Sequence, residues 1–265
     1  MGMQLEKAEQ DECFILVKAQ PHRSSKYSET VCCAGIGRDG KWRRQYPVPF
    51  RILQSDQKFK RWNWINYSYT TSIRDRRIES QKVLPESLSV SGSVKKSERA
   101  RFLNPLVRSS FEEANSKNES LTMIRPAQFE IIPFEKTSRE IEIERQKHAE
   151  LANQLSMFDS TARPLKPCPV RFVARWKDME GNERRHSCDD WETIAAFNRF
   201  ERNYNRKKAI EDIKYKYEEQ YFRAGIVLTF STHSRRNVTN GTPNQWLLVG
   251  VVRLDFDTQG DFLLR

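Results

Sequence analysis

The chain has 265 residues, a formal net charge of +11 and a pI near 9.5, so its folded field attracts polyanions and repels basic partners. No apolar run approaches the roughly 20 residues of a membrane span. The acidic opening MGMQLEKAEQDE is unlike a secretory signal, and nothing resembles a lipid anchor or a basic amphipathic helix. A cytoplasmic protein with no membrane partner is expected, in two lobes because the length exceeds one average domain. Five cysteines at 13, 32, 33, 168 and 188 show no CxxC spacing, which predicts reduced thiols, with neither a disulfide framework nor a bound metal or cofactor.

In chain order, CFILVKA (13–19) and TVCCAGI (30–36) read as β-strands separated by a polar turn. An Asp39-Gly40 turn then leads into KWRRQYPV (41–48), a hairpin signal that Pro47 and Pro49 close. Two further strands follow, FKRWNWINYSYT (59–70) and RRIESQKVL (76–84), and alternation puts Trp62 and Trp64 on one face. Short strands at this spacing predict a small Greek-key barrel. Residues 85–120, rich in Ser, Asn and charge, read as an insert with one short helix near 96–115, and MIRPAQFEIIPF (123–134) as a strand or strand pair interrupted by Pro126.

The segment 138–158 has partial helical spacing and reads as a helix between lobes, followed by the extended Pro-rich stretch 159–170. CPVRFVARWKD (168–178) and ERRHSC (183–188) form a second hairpin. Acids at 189–192 start a helix, KKAIEDIKYKYEEQYFRA continues helically, and two apolar strands, 225–233 and 244–256, end the lobe. The expected fold is mainly β with helical inserts (α+β), divided as 1–136, a connector 137–166, and 167–265.

Charge is concentrated in the first lobe. Between 31 and 83 twelve Lys and Arg face only Asp39, Asp56, Asp75 and Glu79, and Trp42, Tyr46, Trp62, Trp64, Tyr67 and Tyr69 interleave with them. Cations that follow a phosphate backbone and aromatics that stack on bases are what single-strand binding needs. The candidate binding residues are Trp42, Arg43, Arg44, Lys60, Arg61, Trp62, Trp64, Arg74, Arg76 and Arg77. The competing reading makes the tryptophans barrel core and the arginines a solvated face.

Two weaker constellations lie in the second lobe. His186, Cys188, Asp189, Asp190 and Glu192, with His233, could form an acid/base cluster, but a helix capped by Asp189 or Asp190 explains the same residues without chemistry. His233, Arg235 and Arg236 at a strand end are a candidate phosphate site, weighed against a solvated loop. Walker, GxGxxG, HExxH and GxSxG motifs are missing, so the expectation leans away from an enzyme and assigns no catalytic residues.

The stretches VCCAGIGRDGKWRRQYPVPFRIL (31–53), FKRWNWI (59–65), CDDWET (188–193), FSTHS (230–234) and QWLLVGVVRLD (245–255) together resemble the dual OB-containing domain family of bacterial proteins, over essentially the whole chain. The resemblance implies two tandem OB-like barrels and a nucleic-acid-binding role within bacterial defence or other nucleic-acid processing. It brings no catalytic residues. The expected partner is nucleic acid, single-stranded DNA or RNA ahead of duplex. The alternatives are a nucleic-acid-directed enzyme at 186–193 with His233, and an adaptor for an operon-encoded protein.

Overall fold

A computed structural model of the chain describes residues 7–24, 28–71, 75, 77–156, 164–232 and 246–256. The fold is mostly β with helical segments and divides into two units, Met1–Val94 with Ser138–Pro167 and Lys95–Thr137 with Cys168–Arg265. This division departs from the sequence expectation at the middle of the chain. The helix expected as a connector groups with the first unit, and 95–137 groups with the second, because its strands pair there.

The first unit contains β1 (Glu9–Lys18), β2 (His22–Ser24), β3 (Ser28–Gly37), β4 (Trp42–Val48), β5 (Asn63–Thr71) and β6 (Ser80–Ser93). β1 pairs antiparallel with both β3 and β5, β3 pairs with β4, β5 pairs with β6, and β4 meets β6 in parallel at Arg44–Ser80 and Gln45–Gln81. The β3–β4 hairpin turns where the sequence predicts it. Gly40 takes φ +73° without steric penalty, and its N–H donates to the Gly37 carbonyl at 3.0 Å. β1 and β3 approach so closely that a Cβ at Gly35 would lie 2.3 Å from the Phe14 carbonyl oxygen.

Strand β1 is buried on both faces from Cys13 onward. On one face Phe14 meets Trp64 edge to face at 5.2 Å. On the other, Cys13 joins a chain of polar side chains. Gln45 Nε2 donates to Cys13 Sγ at 3.0 Å and to Tyr67 Oη at 3.2 Å, Tyr67 donates to Gln81 Oε1 at 2.5 Å, and Gln81 Nε2 donates to Asp11 Oδ2 at 2.6 Å. That chain fixes a carboxylate at the rim of the strands, with consequences for the arginines beside it. α1 (Arg99–Leu103) and α2 (Phe111–Ser116) belong to the second unit, and α3 (Ser138–Ser156) packs against β3 in the first.

The second unit carries β7 (Val107–Arg108), β8 (Leu121–Ile124), β9 (Gln128–Glu135), β10 (Val170–Lys177), β11 (Glu183–Ser187), β12 (Ile226–Thr232) and β13 (Trp246–Arg253). One sheet runs β11-β10-β9 and another β13-β12-β8-β7, and Cys188 bridges Leu248 in parallel. Between β11 and β12 lie α4 (Trp191–Asn203), α5 (Arg206–Lys214), a π-helical stretch Tyr215–Tyr221 and the short α6 (Phe222–Ala224). Trp176, Phe172, Phe197, Tyr217 and Phe230 are fully buried in one core. Glu218 reaches back to accept the Ile131 N–H at 2.8 Å, which supplies a partner to the side of β9 that faces away from β10. Among the described residues no helix is long and apolar enough to cross a membrane.

Candidate nucleic-acid interface

Of the described arginines that the sequence singles out in the first unit, Arg43, Arg44 and Arg77 are bound to carboxylates of the same unit. Arg43, half-buried, places Nε 2.6 Å from Asp11 and NH2 3.2 Å from Asp39. Arg44 is buried and donates to Glu79 at 2.9 Å, with side chains only 6% and 7% exposed. Burial pulls the Arg44 guanidinium below its ordinary pKa, and Arg77 adds to that by repulsion. Arg77 forks onto Asp75, its closest contact 2.6 Å. Arg38 binds Glu12 at 2.8 Å and covers the Trp64 ring at 3.8 Å. Any of these groups turned to a phosphate would leave a carboxylate behind.

The three tryptophans divide. Trp64 is 6% exposed and serves as core. Trp42 is half-buried, its indole Nε1 buried without an acceptor among the described residues. Trp62 is half-buried and stacked on Phe14 at 6.1 Å, with φ +76°, a conformation a bulky residue rarely adopts. Two backbone bonds hold it there, Trp62 N–H to Ile15 O at 2.7 Å and Val94 N–H to Trp62 O at 2.8 Å. Lys60 is exposed and has no ion pair among the described residues, and Arg61 is half-buried. Arg74, Arg76, His233, Arg235 and Arg236 lie outside the described residues.

The HSCDDWET segment is a helix start. Asp190, fully buried, accepts from the Glu192 N–H at 3.1 Å, the Val251 N–H at 3.1 Å and the Thr193 hydroxyl at 3.3 Å, so it caps α4 and ties it to β13. Cys188 is buried, and burial pushes its thiol up to about 12. His186 Nδ1 accepts from Trp176 Nε1 at 3.1 Å, and burial, with Arg184 nearby, lowers its pKa to about 4. Among the described residues no three His, Cys, Asp or Glu gather as a metal site.

A row of described cations without carboxylate partners lies where the sequence reading did not place one, on the solvent face of the β9-β10-β11 sheet. β10 alternates strictly. Val170, Phe172, Ala174 and Trp176 enter the core, which turns Arg171, Val173, Arg175 and Lys177 outward. Register aligns Arg171 with Phe134, Arg175 with Glu130 and Arg185, and Lys177 with Gln128 and Glu183. Arg171, Lys177 and Arg185 have no carboxylate partner among the described residues. Arg175 is paired with Glu130 at 2.6 Å but remains half exposed. Phe134, 36% exposed, lies under the Arg171 guanidinium at 5.4 Å. A groove of about 360 Å³ crosses this face between Gln128, Glu130, Arg175, Lys177 and Glu183. The signal was in the sequence, since VRFVARWK spaces its cations at the period of one strand face.

The model of the Domain of unknown function (DUF8758) matches residues 9–108, and that of the Domain of unknown function (DUF8757) matches residues 106–260. No curated protein matches the chain.

Proposed function

Because the chain belongs to the family described as Domain of unknown function (DUF8757), which brings no activity with it, we propose from geometry alone that it is a single-strand nucleic-acid-binding protein whose contact surface is the outer face of β9-β10-β11. The observation that carries this reading is the row of Arg171, Lys177 and Arg185, unpaired among the described residues, beside the exposed ring of Phe134. Cations without carboxylate partners can neutralise phosphates and release counterions, and an aromatic face can stack on any base.

The strand pairings support an OB-like reading of both units. In the first they run β1–β3–β4–β6–β5 and return to β1; in the second they run β8/β9–β10–β11–β13–β12 and return to β8, with β11 joined to β13 through the Cys188–Leu248 bridge. In each, the contact between the third and fifth strands is parallel. That is the pairing order of a five-stranded OB barrel, whose second and third strands and flanking loops take oligonucleotides. β10 and β11 hold those two positions in the second unit. Residues 233–245, which include Arg235 and Arg236, stand in sequence between the fourth and fifth of these strands.

A labelled single-stranded oligonucleotide titrated at two salt concentrations tests the proposal. The wild-type chain is expected to lose affinity steeply with salt, with a log–log slope of about −0.7 per phosphate neutralised. Arg171→Glu, Lys177→Glu and Arg185→Glu together should abolish binding at moderate salt without changing the thermal midpoint appreciably. Binding that ignores both salt and the triple substitution defeats the reading.

A further inference from the structure

We infer that Glu183, with Gln128 across Lys177 from it on the β9-β10-β11 face, selects guanine among the bases of a bound strand. The inference rests on the nucleic-acid reading above and adds base selectivity to the same surface.

Alternation along β11 turns Glu183, Arg185 and Ser187 outward and leaves Arg184 and His186 half-buried on the other side. The outer face therefore carries four cations, Arg171, Arg175, Lys177 and Arg185, and two carboxylates, Glu130 and Glu183. Glu130 is taken up by ion pairs, with Arg175 at 2.6 Å and with Lys214 at 4.0 Å. Glu183 differs. Register sets it opposite Lys177, whose other neighbour is Gln128, yet the side chains of Glu183, Lys177 and Gln128 make no ion pair or hydrogen bond among the described residues. The three form one row across strands spaced roughly 4.7–4.9 Å apart. All three line the groove of about 360 Å³, a volume in the range of small-ligand sites.

The chemistry of that row indicates the base. A solvated carboxylate on a protein surface is ordinary, but on a face that meets phosphates it repels the backbone and gains only from N–H donors. Bases carry such donors on their edges. Guanine alone presents them on two adjacent atoms, N1–H and N2–H, which one carboxylate accepts side by side; its O6 acceptor comes next along the edge and suits an amide N–H of Gln128. Adenine and cytosine offer a single amino group. Thymine and uracil flank their one N–H with two carbonyl oxygens, which a carboxylate repels. Lys177, between the two side chains, keeps its ammonium for the phosphate.

Wild type, Glu183→Gln and Gln128→Ala are titrated with three single-stranded probes of equal length: all thymidine, alternating guanosine and thymidine, and alternating inosine and thymidine. Inosine keeps O6 and N1–H and lacks the N2 amino group. Glu183 and Gln128 are exposed, so both substitutions leave the fold intact. Wild type should bind the guanosine probe about tenfold more tightly than the thymidine probe, the scale of one bidentate base contact, with the inosine probe between them. Glu183→Gln should bring the guanosine and thymidine probes level and leave the salt slope on thymidine unchanged. Gln128→Ala should weaken the guanosine and inosine probes alike, since both keep O6. Equal wild-type affinities for guanosine and thymidine probes overturn the inference, as does a guanosine preference that Glu183→Gln retains. Either result leaves the reading of the face standing, provided that binding still falls with salt and with the Arg171, Lys177 and Arg185 substitutions. If wild type binds none of the probes, both proposals fall.

Discussion

Two basic regions of this chain behave differently. From Arg38 to Arg77 the first unit is dense with cations, yet Arg38, Arg43, Arg44 and Arg77 each meet a carboxylate within 3.2 Å. On β10 and β11 the cations are fewer, and three of them have no such partner among the described residues. The difference arises from what lies across the strand. β1 presents Asp11 and Glu12 to the arginines of the β3–β4 hairpin, whereas of the two glutamates in register with the β10 cations, Glu130 opposite Arg175 and Glu183 opposite Lys177, only Glu130 makes an ion pair with one of them among the described residues. Local charge density therefore measures the cost of folding as readily as the strength of an external field, and only the partners decide which.

The largest effect that separates the regions should be on stability. Arg44→Ala takes the guanidinium away from the buried Glu79 carboxylate, which should cost about 3–5 kcal/mol in urea unfolding. The double variant Arg44→Met with Glu79→Gln should recover much of that loss. If Arg44→Ala unfolds at the wild-type midpoint, the pair is not structural and the contrast between the regions weakens.

A smaller effect lies in the second unit. Folded His186 has a pKa lowered to about 4 by burial, below its ordinary 6.5, so it stabilises the fold fully above pH 6.5 and that contribution is lost as pH falls toward 4. Between pH 7 and pH 5 unfolding should become about 2 kcal/mol easier, and His186→Gln should flatten this dependence. An undiminished slope in the variant would assign the pH sensitivity elsewhere. The smallest effect belongs to Arg38→Ala, which removes a largely exposed ion pair and a guanidinium from the Trp64 ring. It should cost about 1 kcal/mol in stability and leave oligonucleotide affinity nearly unchanged.

Much of the fold could be read from the residues. The Asp39-Gly40 hairpin, the break at Pro126 between β8 and β9, the helix starting at Ser138, the cap at Asp190 and the two closing strands all stand where local pattern puts them. β6 runs further than its sequence pattern predicts. Its second half, SLSVSGS, has the composition of a loop, but Leu88 is buried and pairing with β5 continues to Ser93. The candidate surface was harder to see for a related reason. The carboxylates that bind Arg38 and Arg43 sit at positions 11 and 12, about thirty residues before them, outside any local count of charge, and strand pairing alone brings them together. Strand alternation in VRFVARWK, by contrast, is a local pattern that sets Arg171, Arg175 and Lys177 on one face of β10, but the charge count between 31 and 83 drew the expectation to the first unit instead.

The most direct measurement sets two triple variants side by side on one labelled single-stranded oligonucleotide, reading affinity against salt. Replacing Arg171, Lys177 and Arg185 by alanine should flatten the log–log slope by about 2, at about 0.7 per lost phosphate contact, with stability intact. Replacing Arg38, Arg43 and Arg77 should lower stability and leave the slope of the folded protein where it was. The opposite pattern, a slope that follows the first-unit arginines and ignores the β10–β11 cations, contradicts the account.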